Sequence, residues 1–66
     1  MTVCVNGMKR EVAKGITLQE LIELFKVNQK SVVLELNREI IDRNSFSTTQ
    51  LEEDDAVEIV QFVGGG

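Results

Sequence analysis

The sequence closes on Gly64-Gly65-Gly66. Glycine has no Cβ, so three in a row make a thin strap that can pass through a channel where any side chain would clash. What the strap presents is one carboxylate, at Gly66. A carboxylate is a poor electrophile. It becomes reactive when another protein activates it, typically to an acyl-adenylate with ATP, after which sulfur or nitrogen nucleophiles can attack the carbonyl. The bland alternative is a frayed end or a leftover of expression. Against it, the strand expected over Ala56–Val63 runs straight into the glycines with no polar spacer.

Three further groups of residues are candidates. Val60 and Phe62 fall on the same side of any strand through Val57–Val63, opposite to Val57 and Ile59. Two apolar side chains on one exposed strand face, just ahead of the strap, suit a docking patch; scattered singly, they would need no explanation. The acidic run Glu52-Glu53-Asp54-Asp55 lacks the spaced ligands and turn glycine of a calcium loop. It reads as a solvated loop or as an electrostatic docking edge for a basic surface. Cys4, within an apolar strand pattern and without a sequence partner, reads as a small strand residue rather than a reactive thiol.

The remaining composition excludes more than it offers. The chain has 66 residues, one Cys and no His. Catalysis by a Ser-His-Asp or Cys-His set, the usual zinc sites and an intramolecular disulfide are therefore ruled out within one chain. The net charge of −4 argues against nucleic-acid binding. That charge is lopsided: residues 1–43 carry seven basic and six acidic residues, whereas residues 44–66 carry five acidic and none basic. No apolar run of ~18 residues and no signal-peptide pattern is present, so a soluble, cytoplasmic protein without membrane contact is expected.

The elements that must position these groups are legible. Met1–Val5 alternates as a strand, Asn6-Gly7 is a type I′ hairpin signal, and Met8–Ala13 is the returning strand. Thr17 and Glu20 form a capping box, and Ile16 and Leu21 occupy the positions of a hydrophobic staple. Leu18, Leu21, Ile22 and Phe25 then make one apolar stripe, so a helix is expected over Leu18–Lys26. Ser31–Leu36 and Glu39–Ile41 read as strands joined at Asn37-Arg38. Asp42–Gln50 is polar and turn-like, anchored by Phe46. Ala56–Val63 is the last strand, expected to lie parallel to the first in the middle of the sheet. This order predicts an α+β fold, a mixed β-sheet with one main helix packed on one face. The expected organisation is a single domain over residues 1–66, with 64–66 a flexible tail.

Four stretches together resemble the ubiquitin-like β-grasp sulfur carriers, specifically the small-carrier family of thiamine biosynthesis. They are Asn6-Gly7, Thr17-Leu18-Gln19-Glu20-Leu21, Leu36-Asn37-Arg38-Glu39-Ile40-Ile41 and, most specifically, Val57 through Gly66. One departure stands out: the family commonly has Gly-Asp before the last strand, where this chain has Asp54-Asp55. The resemblance implies a cosubstrate rather than an enzyme, with no tightly bound cofactor. An activating enzyme related to those of ubiquitin would use ATP to adenylate Gly66. A cysteine desulfurase would supply persulfide sulfur, giving a thiocarboxylate, which thiazole synthase would consume. Gly64 and Gly65 would lead into both active sites, and Val60, Phe62 and Val63, with Asp54 and Asp55, would be the docking surface. Sibling carriers, such as the small subunit of molybdopterin synthase or a carrier for tRNA thiolation, share the fold and the tail. A non-covalent interaction domain of the same fold is the further alternative.

Overall fold

Strand β1 (Thr2–Val5) turns back through Asn6-Gly7 into β2 (Met8–Glu11), with Val5 opposite Met8. Asn6 and Gly7 both have positive φ, 50° and 83°. That is the type I′ geometry whose twist matches the flanking strands. A computed structural model supplies these coordinates and describes residues 1–62; Val63, Gly64, Gly65 and Gly66 lie outside the described residues. The returning strand is shorter than expected. Met1 and Val12 exchange two further hydrogen bonds of 2.8 Å, after which Ala13 leaves the ladder. Every residue of β2, Met8 included, is exposed.

Helix α1 spans Leu18–Leu24. The capping box forms as expected: Thr17 Oγ1 accepts from the Glu20 N–H at 3.1 Å, and the Thr17 N–H donates to Glu20 Oε1 at 2.9 Å. Ile16 and Leu21 are both buried, as a staple requires. Leu18, Leu21 and Ile22 are fully buried, each contributing about 2 kcal/mol by removal from water. A helix this short depends on that docking.

The helix ends two residues earlier than the apolar periodicity predicts. Lys26 adopts a left-handed φ of 57°. Its N–H donates to Glu23 O at 3.1 Å, and the Val27 N–H donates to Ile22 O at 3.0 Å. These are the two bonds of a Schellman motif, with lysine at the position glycine usually occupies. Without a glycine to mark the stop, the stripe through Phe25 extends the expectation past the true end.

A 3₁₀ turn, Gln29–Ser31, leads into β3 (Val32–Leu36), which pairs antiparallel with β4 (Glu39–Ile41). The connecting Asn37 and Arg38 again both have positive φ, 51° and 74°. The polar segment that follows is pinned by Phe46, which is 1% exposed. Strand β5 (Ala56–Gln61) completes a sheet of order β2-β1-β5-β3-β4. It runs parallel to β1 and antiparallel to β3, in the middle position expected. The buried side of α1 and the inward residues of β1, β3 and β5 share one core. A five-stranded mixed sheet with one main helix on one face is the ubiquitin-like β-grasp arrangement. No helix among the described residues is long and apolar enough to cross a membrane.

Candidate functional site

The strand that precedes the glycines in sequence is gripped by an asparagine from each neighbouring hairpin. On the β1 side, the Asn6 N–H donates to Val57 O at 2.9 Å. Its side chain then takes over from the strand: Oδ1 accepts from the Ile59 N–H at 2.7 Å, and Nδ2 donates to Ile59 O at 3.4 Å. A side-chain amide thus stands in for the next backbone amide of β1. On the β3 side, the Asn37 N–H donates to Ala56 O at 2.8 Å, and its Oδ1 accepts from the Ala56 N–H at 3.0 Å. Both asparagines occupy left-handed positions that their short polar side chains tolerate better than most residues do. Sequence reading placed them in turns; their grip on β5 depends on a strand about fifty residues (Asn6) or nineteen residues (Asn37) further along.

Alternation along β5 puts Val57 and Ile59 in the core and turns Glu58, Val60 and Phe62 to the outer face. Val57 is buried and Ile59 packs against the core, whereas Val60 is 45% and Phe62 60% exposed. Phe62 is held at the strand's end by its N–H, which donates to Ser31 O at 2.8 Å. Val33 lies opposite Val60, Glu35 opposite Glu58, and Ile40 of β4 opposite Glu35. Ile40 is 70% exposed. Val33, Glu35 and Ile40 were missed in the sequence reading. The signal was available, since Val32, Leu34 and Leu36 facing the core leave Val33 and Glu35 facing out.

The acidic turn does not join this cluster. At ~3.3 Å per residue, Asp55 and Phe62 are about 20 Å apart along the strand. Asp54 takes a φ of 69°, the left-handed conformation a glycine would adopt freely, and so preserves the turn despite the departure from Gly-Asp. Its N–H donates to Thr2 O at 2.8 Å. The Asp55 carboxylate accepts from the Glu52 N–H at 2.8 Å and from Asn37 Nδ2 at 3.1 Å. Asp55 therefore has turn-building work of its own, while Asp54 is exposed.

Cys4 is half-buried on the outer face, between Lys9 and Ala56 in register. A hollow of about 530 Å³ lies on the flank between Ala13–Ile16 and Glu20, Glu23 and Leu24 of α1. It is separate from the outer face of β5.

The profile of the ThiS family matches residues 3–66. The sulfur carrier protein ThiS of Bacillus subtilis is 40% identical over 50 residues, 76% of either chain. The crystal structure of the thiamine biosynthesis protein (ThiS) of Geobacter metallireducens superposes with a TM-score of 0.85 at 39% identity, covering all of both chains. A thiazole synthase of Paramagnetospirillum magneticum is 32% identical over all 66 residues of this chain, which spans only 20% of that protein's length.

Proposed function

This chain belongs to the ThiS family of sulfur carriers in thiamine biosynthesis, and on that footing we propose that Gly66 is the group that carries the sulfur. A partner enzyme related to the ubiquitin-activating enzymes transfers AMP from ATP to the Gly66 carboxylate, releasing pyrophosphate. A persulfide derived from a cysteine desulfurase displaces AMP at the carbonyl to give an acyl disulfide. A second thiol of the partner machinery then cleaves the S–S bond by thiol–disulfide exchange, leaving a thiocarboxylate on Gly66 and a disulfide on the partner. Thiazole synthase then takes the sulfur. The chain is a cytoplasmic cosubstrate in this scheme and binds no cofactor tightly; ATP belongs to the activating enzyme.

The observation that carries this reading is the strand that precedes the glycines in sequence. That strand, β5, is central and clamped from both sides, and Val60 and Phe62 at its far end are apolar and exposed. A partner holding Val60 and Phe62, with Val63 next in sequence, holds the carrier by the end from which Gly64 and Gly65 lead to Gly66. Asp54 and Asp55 extend the contact only to a partner that spans the length of β5. Thiazole synthase is supported as a partner by the relative in which a segment similar to this chain is part of a thiazole synthase polypeptide. Covalent linkage raises the effective concentration of two modules that must meet.

The test is the intact mass of the protein purified from its own host. A species in which one oxygen is replaced by sulfur, located to Gly66 by fragmentation, is the expected result. Protein that is wholly unmodified under sulfur-replete growth, or joined through its end to lysine, would overturn the proposal.

A further inference from the structure

The outer face carries a pairing that the fold does not explain. Glu35 and Glu58 are directly opposite each other on adjacent antiparallel strands. The bonds at either end of this ladder, from Phe62 to Ser31 and from Asn37 to Ala56, set the alternation and make Glu35 and Glu58 a hydrogen-bonded pair. Their Cα atoms are then ~5.5 Å apart. Like charges so placed destabilise a sheet. They also stand among apolar side chains: Val33 and Val60 form the next pair along, and Ile40 flanks Glu35 on the far side. The basic residue that register puts on this face, Lys9, is opposite Cys4, two strands from Glu58 and one row away.

We propose that Glu35 and Glu58 together receive a single arginine of the partner protein that docks on β5. The inference rests on the docking face of the proposed function and adds the chemistry of what meets it. Two carboxylates on neighbouring strands match the fork of a guanidinium, which can donate to both, whereas a compact ammonium cannot span them as well. An apolar collar of Val33, Val60 and Ile40 excludes water once covered, and that strengthens the charged contact. The repulsion present in the free carrier disappears in the complex. The same pair therefore weakens the free fold and strengthens docking.

Those opposite signs provide the test. Glu35→Gln, Glu58→Gln and the double variant are compared with Phe62→Asp and with Glu23→Gln on the helix side, measuring Kd for the host's thiazole synthase at low and moderate salt, together with melting temperature. Each single Gln variant is expected to bind about tenfold more weakly at low salt. The double variant should fall well short of the product of the two, because both act on one cation. Its Kd should depend less on salt, and its melting temperature should equal or exceed that of the parent. Glu23→Gln should change nothing. Gln variants that bind within twofold of the parent while Phe62→Asp binds weakly would overturn the arginine receptor and leave the docking face standing. Unchanged binding in the Gln variants and in Phe62→Asp would overturn both. Weakened binding with a lowered melting temperature would make the pair a structural element and overturn the proposal.

Discussion

Phe62→Asp separates docking from folding more cleanly than any other substitution on the outer face. A phenylalanine side chain presents ~200 Å², and Phe62 is 60% exposed. About 120 Å² therefore remains for a partner to cover, worth about 3 kcal/mol at ~25 cal/mol per Å². That corresponds to roughly a 150-fold rise in Kd. Placing a carboxylate in the same contact adds a desolvation cost, so about 100-fold is a lower bound for a centrally placed residue. The folded carrier loses less. Phe62 lies beyond the last residue of β5 and outside the core, and its remaining ~80 Å² sets a ceiling of about 2 kcal/mol on the stability change. Titration calorimetry against the activating enzyme and thiazole synthase, with circular dichroism to confirm the fold, measures both effects. A folded variant whose Kd for both partners stays within threefold of the parent would refute the assignment of Phe62 to the docking surface.

Three more outcomes follow from the same residues. Deleting Gly66 should abolish sulfur transfer while leaving the melting temperature unchanged, because a glycine has no side chain to bury; thiazole formation by the truncated carrier would contradict the proposed chemistry. Lys26→Gly relieves left-handed strain of about 1–2 kcal/mol against a glycine entropy cost of about 0.5–1 kcal/mol; the midpoint net gain of about 0.75 kcal/mol should raise the thermal midpoint by roughly 3–6 °C. A fall would mean the Schellman end of α1 is not strained. Asn6→Gly keeps the positive φ but removes the clamp on Ile59. It should cost about 1 kcal/mol and accelerate hydrogen exchange at the Ile59 amide, and unchanged exchange there would show that the side chain holds nothing.

Much of this protein is written in short stretches of sequence. Asn6-Gly7 dictates its hairpin because both residues accept positive φ. Thr17 and Glu20 start the helix wherever a helix is possible, because each satisfies an N–H that the first turn leaves open. Alternation sorts Val57 and Ile59 from Val60 and Phe62, and the closing glycines announce themselves. These are effects between residues within about four positions of one another, so local pattern captures them.

Tertiary structure decided the rest, and the reason is the same in each case. Arg38 adopts a left-handed conformation that its type does not favour, and Asp54 one that aspartate only tolerates. At Asp54 the hydrogen bond is to the distant Thr2 carbonyl; at Arg38 the paired strands on either side impose the turn. Glu35 meets Glu58, and Asn6 replaces a backbone amide beside Ile59, through a register between strands that are neighbours only in the folded sheet. No periodicity along the chain encodes which residue stands opposite which. Packing the helix stripe against one face of the sheet selects that register, and with it the side chains that surround the strand leading to Gly66.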